Sequence, residues 1–225
     1  MFLSVKISVS SVLRVENSDT TAPYSFNWTA TQGSHTVKAV AFTSSGNLTS
    51  STVSIKVGVN ILKNPGFESS NLSVWQNYEQ GVTLSRYTGD NILSAGKGKY
   101  YLMVSPRTGN NVISQDVKAA LLAKGPGLYG IQSSISYKLI WGGTQTALKI
   151  VDSAGTHYYK SRGVTQYNSW ASTCDNTFVN VSWTGTLQSA EFVVMSTDES
   201  MAADFPNPSV QSETYIDDCR LSFIS

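Results

Sequence analysis

Apolar and polar residues alternate along most of the chain, and polar turn residues separate the alternating runs. The strand-length segments "VKISV", "STVSIKV", "TALKIVD" and "TYIDDCRLSFI" show the pattern from the N-terminus to the C-terminus. A period of two places one face of a strand against a core and the other face toward solvent. Short runs of this kind, bounded by Gly, Asn, Asp and Ser, predict an all-β protein.

One stretch departs from the alternation and predicts a short helix. In "DVKAALLAKGPG", Asp116 can cap the first turn, alanines and leucines fill the turns, and Gly125 and Gly127 stop them. From residue 60 onward the remaining segments predict roughly ten strands beside this helix. That ratio favours a two-sheet β-sandwich, most naturally a jelly roll.

The alternating segments change in character near residue 60. Residues 1–58 contain short strands with frequent turn signals, whereas residues 59–225 contain longer and more aromatic strands. The turn Asn64-Pro65-Gly66 stands close to this change. We therefore expect a domain boundary between residues 58 and 59.

Composition and charge exclude several classes of partner. The 225 residues carry a formal net charge of +1, and no stripe of Lys and Arg offers a footprint for nucleic acid or an anionic membrane. No run of 18 apolar residues predicts a membrane span. The first residues alternate like a strand and lack the apolar core of a signal peptide, so we expect a piece from inside a longer secreted protein.

The two cysteines leave two interpretations open. Cys174 and Cys219 lack the spacing of a zinc or redox motif. They could form one disulfide in an oxidising compartment. Alternatively, Cys219 is a small buried free thiol, because it lies at a core position of its predicted strand.

The first segment carries residues that resemble a known type of domain. These are "APYSFNWT" at 22–29, "GSHT" at 33–36, and "AVA" at 39–41 followed by Gly46-Asn47. They resemble the latter part of a bacterial Ig-like domain of the kind found between modules of extracellular glycoside hydrolases. The resemblance implies a partial Ig-like β-sandwich whose first strands are missing, with exposed sheet edges.

The second segment resembles a family over almost all of its length. Its landmarks, in chain order, are "NPGFES", Trp75, "GKYYLMVSPRTG", "ISQDVKAALLAKGPGLYGI", Trp170, "VSWTG" and "YIDDCRLS". Together they resemble carbohydrate-binding modules of the CBM4, CBM9 and CBM22 group, in particular the CBM22-like modules attached to xylanases. The resemblance implies a jelly roll that binds a polysaccharide without cleaving it.

The same resemblance implies a structural calcium ion between the first and last strands. Its expected ligands are Glu68 of "GFE" and one aspartate of the Asp217-Asp218 pair. Alternation favours Asp217, since it shares the inward direction of Cys219. A buried carboxylate needs a partner, and Ca²⁺ accepts hard oxygen ligands, with backbone carbonyls completing the set. Alternatively, these acids pair with a nearby Arg or Lys, or lie at a solvated sheet edge.

A sugar site needs an aromatic side chain for stacking and polar groups for hydrogen bonds. The resemblance implies that these lie in a groove on the concave face of one sheet. The stacking candidates are Trp141, Tyr158, Tyr167 and Tyr78. The hydrogen-bonding candidates are Gln132 and Arg107, with Arg86 and Glu191 beside them. Core packing is the competing interpretation for each of these tyrosines, and the resemblance implies it for Trp75, Trp170 and Trp183. The loop at residues 197–214 either walls one end of the groove or is a disordered insertion.

Two departures from the family pattern leave the ligand open. Xylan-binding CBM22 modules carry a platform tryptophan shortly before the helix, where this chain has Asn110-Asn111-Val112. A paired Tyr and Glu near their penultimate strand is replaced here by "VVMST". The expected ligand is therefore xylan, β-glucan or a related polysaccharide.

Catalytic patterns are missing from the sequence. The acids are scattered over loops, and none of GxSxG, HExxH or the nucleotide-binding motifs is present. We therefore predict a non-enzyme. Two alternatives remain: a structural spacer or adhesin module without glycan binding, and a jelly-roll polysaccharide lyase that uses His157, Tyr158, Lys160 and Arg162.

These observations combine into one expectation. The chain is expected to be a calcium-stabilised binding region of a secreted, extracellular, bacterial multimodular polysaccharide-degrading enzyme. Its expected partners are a polysaccharide and the parent's catalytic module in cis, with no nucleic acid, no membrane and no second copy of itself.

Overall fold

The structure is a computed structural model, and the chain in it divides into two compact units. The first unit is Met1–Val59 with Ile224–Ser225, and the second unit is Asn60–Phe223. The described residues are 2–10, 15–46, 48–77, 83–88, 98–105, 111–137, 144–164, 169–173, 178–196 and 214–224. No helix in this described part of the chain has the length and apolarity needed to cross a membrane.

The first unit contains one antiparallel sheet in the order β2-β1-β3-β4. Its strands are β1 (Phe2–Ser10), β2 (Val15–Asp19), β3 (Gly33–Thr43) and β4 (Leu48–Val57). The register places Val9 opposite Val37 and Val37 opposite Val53, so one face is apolar. An Ig-like domain packs two sheets. Since the described residues of this unit form one sheet, the Ig-like assignment stays a prediction.

The second unit contains the remaining strands and the helix; the first of these strands begins at Val59, one residue before the unit does. They are β5 (Val59–Asn60), β6 (Gln76–Asn77), β7 (Thr83–Tyr87), β8 (Tyr101–Ser105), β9 (Asn111–Asp116), α1 (Lys118–Lys124), β10 (Gly127–Tyr137), β11 (Thr144–Asp152), β12 (Gly155–Lys160), β13 (Ala171–Ser172), β14 (Phe178–Val181), β15 (Ser189–Ser196) and β16 (Thr214–Phe223).

Two sheets of the second unit enclose its core. The seven-stranded sheet has the order β13-β10-β16-β8-β7, with β14 also on β10 and β5 also on β16. The five-stranded sheet has the order β12-β11-β15-β9-β6. Ile131 and Ile216 of the first sheet and Leu148, Ile150 and Phe192 of the second are fully buried in one cluster. The all-β, two-sheet sandwich predicted from alternation is confirmed.

The predicted helix is present, with a different N-terminal cap. Val117 occupies the cap position and makes no side-chain hydrogen bond there. The Asp116 carboxylate lies one residue earlier and accepts the N–H of Lys118 at 2.9 Å. At the other end, Gly125 donates its N–H to the Leu121 carbonyl, as the Gly-rich stop predicts.

The "NPGFES" motif forms a turn that anchors the first segment of the second unit. The Asn64 side chain donates to the Ser69 carbonyl and accepts the Ser69 N–H, each at 3.0 Å. Phe67 is fully buried and lies 5.3 Å from the ring of Trp75. The Trp75 indole N–H donates to the Asn64 carbonyl at 3.1 Å. Trp75 is therefore a core residue, as predicted.

Trp170 and Trp183, the other two tryptophans predicted to be core residues, differ from Trp75. Trp183 is partly buried against the core between the sheets. Trp170 packs edge-on against Tyr101 at 5.5 Å, in an aromatic cluster that also contains Tyr215. Tyr101 alternates with the core residue Leu102, so this cluster lies on the opposite face of the seven-stranded sheet.

The first segment of the second unit runs beside the last strand. The Asn60 side chain donates to the Cys219 carbonyl at 2.9 Å and accepts the Leu221 N–H at 3.2 Å. The Cys219 N–H donates to the Pro65 carbonyl at 2.9 Å. Among the described residues, Cys219 is a buried free thiol whose pKa is raised by burial. Cys174 lies outside the described residues.

Candidate functional site

A row of polar side chains crosses the five-stranded sheet on the face away from the core, called here the outer face. Tyr158 lies opposite Lys149, Lys149 opposite Glu191, and Glu191 opposite Asp116. Directly paired residues share a face. The neighbouring residue Leu148 points into the core, so the row points away from it. Four strands at normal spacing make the row about 14 Å long.

Tyr158 is the exposed aromatic end of this row. Its side chain is 43% exposed, and it is the one aromatic among the large exposed apolar side chains of the described residues. The Lys160 ammonium, two residues along β12, lies 5.5 Å from the centroid of its ring. In the middle of the row, Lys149 Nζ lies 3.4 Å from Glu191 Oε2.

Beyond Glu191 the row opens into a polar groove of about 440 Å³. Its lining residues are Gln76, Asp116, Lys118, Gln188, Ser189 and Glu191. A second depression of about 320 Å³ adjoins it, shares Gln76 and Asp116, and lies against α1. Planar amides and carboxylates offer paired donors and acceptors to hydroxyl groups. Of these lining residues, sequence reasoning proposed only Glu191 as a contact.

The next row of the outer face is apolar in its middle. Ala147 lies opposite Val193, and both are buried in one cluster with Met195. Ser114 lies opposite Val193 on the other side and is also buried. The "VVMST" segment therefore contributes buried apolar side chains to this row, and no exposed aromatic side chain on which a second sugar could stack.

The structure separates two of the predicted contact residues. Gln132 lies opposite Arg220 on β16, and it alternates with the core residue Ile131. It therefore belongs to the outward side of the seven-stranded sheet, whereas Tyr158 belongs to the five-stranded sheet. With the core between them, they do not line one groove. Trp141, Tyr167, Tyr78, Arg107 and most of the 197–214 loop lie outside the described residues.

His157 is held away from Tyr158 and Lys160. It lies opposite Ile150, on the other side of β12, and its Nε2 is 3.2 Å from Asp152 Oδ1. Asp152 is buried and also accepts the N–H groups of Thr184 and Ala154, each at 2.7 Å. The Thr184 N–H is the main cause of the lowered pKa of Asp152. His157 thus belongs to a structural network.

The expected metal ligand Asp217 is fully buried. It does not share the inward direction of Cys219, so the direction predicted from alternation is wrong. It lies opposite Ser134, and the register then shifts before Arg220 meets Gln132. This bulge at Asp218, which has a φ of +47°, inserts one residue. Asp217 therefore shares a face with Tyr215, opposite to that of Cys219. Gly66 lies close to its carboxylate, since a Cβ at that position would be 3.7 Å from Oδ1.

The second expected ligand, Glu68, is bound by a neighbouring loop. Its Oε1 accepts the N–H groups of Lys99 at 2.7 Å and Tyr100 at 3.0 Å. The hydrogen bond from Tyr100 is the main cause of the lowered pKa of Glu68, followed by the one from Lys99. The charge of Arg86 acts in the same direction. Glu68 can approach this loop closely because residue 98 is a glycine. Gly98 has a φ of +71°, and a Cβ at this position would lie 2.1 Å from Glu68 Oε1. The Arg86 guanidinium stacks on the Tyr100 ring at 3.6 Å.

The chemistry of these two carboxylates fits a hard cation. Both offer oxygen donors, and Asp217 is a buried acid beside the turn that contains Glu68. Within the described ranges, no three His, Cys, Asp or Glu side chains form a group that could hold a metal. Backbone carbonyls would therefore have to complete the ligand set.

Comparison of folds finds similar solved structures, while no protein-family model and no curated protein matches the chain. The CBM22-1 xylan-binding domain from Paenibacillus barcinonensis Xyn10C has a TM-score of 0.51 and 18% identity, over 76% of this chain and 98% of that domain. The CBM22-1-CBM22-2 tandem domain of the same protein has a TM-score of 0.52 and 17% identity, over 76% of this chain and 46% of the tandem.

A third similar structure covers more of this chain. It is a structure described as showing the basis for the promiscuous specificity of carbohydrate-binding modules from the β-sandwich superfamily. Its TM-score is 0.50 with 14% identity, over 96% of this chain and 84% of that one. At these identities the likeness shows a shared fold. The resemblance to CBM22-like modules is thereby confirmed for the fold.

Proposed function

We propose that the second unit is a non-catalytic carbohydrate-binding module that holds a polysaccharide along the outer face of the five-stranded sheet. The observation that carries the proposal is the exposed Tyr158, aligned in one row with a polar groove. Sugar rings present apolar C–H faces, which stack on aromatics, and hydroxyl groups, which pair with amides and carboxylates. Tyr158 supplies the first kind of contact, and Gln76, Gln188 and Asp116 supply the second.

The acids of the groove are placed for binding rather than bond cleavage. A glycosidase needs one carboxyl group whose pKa is raised by burial. Asp116 is exposed and accepts a backbone N–H, while Glu191 is paired with Lys149. The oxygens of both side chains can accept hydrogen bonds from sugar hydroxyls.

Composition and the shared fold support the wider setting of this proposal. Low charge and Ser, Thr and Asn in abundance suit a secreted bacterial protein, and one fold neighbour is named as xylan-binding. The proposed ligand class is xylan, β-glucan or a related polysaccharide. The unit would act as a monomer and tether a catalytic module in cis, which raises the local substrate concentration without new chemistry.

Affinity electrophoresis of the whole chain tests the binding function. Native gels would contain xylan, mixed-linkage β-glucan, glucomannan, xanthan or alginate, with polymer-free gels and a non-binding protein as controls. We expect retardation by at least one polymer. Migration equal to that in blank gels for every polymer would contradict the proposal and leave the structural-spacer alternative. Unsaturated products from alginate or xanthan would instead indicate a lyase.

We also propose that Glu68 and Asp217 bind a structural Ca²⁺ ion. A ligand that binds only the folded state at about a hundred times its Kd stabilises it by about 2.7 kcal/mol. Chelation with EDTA should therefore lower the melting temperature, and added calcium should restore it. Differential scanning calorimetry measures this shift.

The neighbouring aspartate provides a matched control. Asp218 is bound to the Arg220 guanidinium, so Asp218→Asn should keep the calcium-dependent shift even if it lowers the melting temperature itself. Asp217→Asn should lose the shift. Equal melting temperatures of the unmodified chain in EDTA and in calcium would refute the metal site and favour pairing of Glu68 with Arg86.

A further inference from the structure

The charges of the outer-face row are sorted by sign. Lys149 of this row lies at the β12–β11 end beside Tyr158, as does Lys160 of the next row, which is opposite Ala147, whereas Glu191 and Asp116 lie at the β15–β9 end. Strand spacing places Tyr158 about 10 Å from Glu191 and about 14 Å from Asp116. A ligand lying across the strands would therefore meet only lysines beside the aromatic ring, and two acids together with Lys118 in the groove.

The two lysines differ in what they already bind. Lys149 is paired with Glu191, so part of its charge is compensated. Within the described residues, Lys160 makes no ion pair; its ammonium lies over the Tyr158 ring at 5.5 Å. Both Lys160 and Tyr158 are exposed. The pair thus combines a stacking surface with an ammonium group close to its edge.

From this arrangement we infer that Tyr158 and Lys160 form a subsite for a uronic acid residue of the polysaccharide. The C–H face of the sugar packs on the tyrosine ring, and its carboxylate pairs with the Lys160 ammonium, with Lys149 as a second positive charge. The neutral hydroxyls of the adjoining sugars reach the amides and acids of the groove. The inference rests on the proposed binding function and specifies the class of glycan.

One polymer in two forms tests this directly. Glucuronoxylan is used as isolated and after chemical reduction of its carboxyl groups to alcohols, so that only the charge changes. Affinity electrophoresis and calorimetric titration of the whole chain should show tighter binding to the acidic form. Raising NaCl from about 0.05 to about 0.5 M should remove most of the difference, because exposed charges are screened.

Variants assign the effect to the subsite. Lys160→Gln should weaken binding of the acidic form about three- to fivefold, the size of an exposed charge pair, and leave binding of the reduced form unchanged. Lys38→Gln, an exposed lysine of the first unit, removes the same charge elsewhere and should change neither. Dextran sulfate should not bind as tightly as the uronate polymer. Its sugars carry no carboxylate that could pair with Lys160 while the sugar ring stacks on Tyr158.

The outcomes separate the two proposals. Equal affinity for both forms of the polymer, or an equal loss in the Lys38 variant, overturns the uronate subsite while the binding function stands. Equal retardation by dextran sulfate shows general attraction to polyanions and also overturns it. If the chain binds neither form, nor any neutral polymer, the binding function fails and the subsite with it.

Discussion

Replacing Trp75 with alanine is expected to lower the free energy of unfolding of the second unit by about 3 to 5 kcal/mol. The indole is 4% exposed, packs on Phe67 and Phe192 at 5.3 and 6.1 Å between ring centroids, and donates a hydrogen bond to the Asn64 carbonyl. Its removal leaves a cavity and also releases the turn of the "NPGFES" motif.

Urea denaturation followed by circular dichroism measures this loss. Leu122→Ala is the control, because Leu122 lies on α1 in the same unit but is 53% exposed. It should change the free energy of unfolding by less than about 0.5 kcal/mol. Similar small effects of both substitutions would show that Trp75 does not fasten the first segment to the core.

Replacing Tyr158 with alanine is expected to weaken polysaccharide binding at least about tenfold, or about 1.4 kcal/mol. Tyr158 is the exposed ring of the outer-face row, and its loss removes the apolar surface on which a sugar can stack. The fold should be unaffected, since the side chain is exposed on the outer face. Calorimetric titration with the polymer identified by electrophoresis provides the affinity.

Tyr158→Phe is the matched variant for this prediction. It keeps the ring and removes the hydroxyl, so it should retain most of the affinity if stacking is the main contact. A Tyr158→Ala variant that binds as tightly as the unmodified chain would place the ligand elsewhere. A loss of the same size in Tyr158→Phe would indicate a hydrogen bond through the hydroxyl instead.

Period-two patterning predicted the sandwich because each strand shows its own core face. Whereas the resemblance to the family identified Trp75 as core, the same reasoning identified the helix as the one non-alternating stretch. It could not assign strands to sheets: Gln132 and Tyr158 both point outward, but alternation does not say from which sheet. Sheet assignment depends on strand order, which long-range pairing decides.

Two local features were also beyond the reach of the pattern. The bulge at Asp218 inserts one residue into β16, so the face of Asp217 could not be obtained by counting back from Cys219. The groove joins residues from β6, β9, α1, β15 and the turn before β15. Such a juxtaposition has no periodic signature, although the polar residues themselves were visible in the sequence.

The position of β16 has a consequence for how this chain is made. It is the last strand of the second unit to leave the ribosome, yet it lies in the interior of the seven-stranded sheet, between β10 and β8. Until it emerges, both neighbours expose unpaired backbone edges, and the core lacks Ile216 and Leu221. Folding of this unit is therefore completed after its translation ends, and the nascent chain is an open template for aggregation until then.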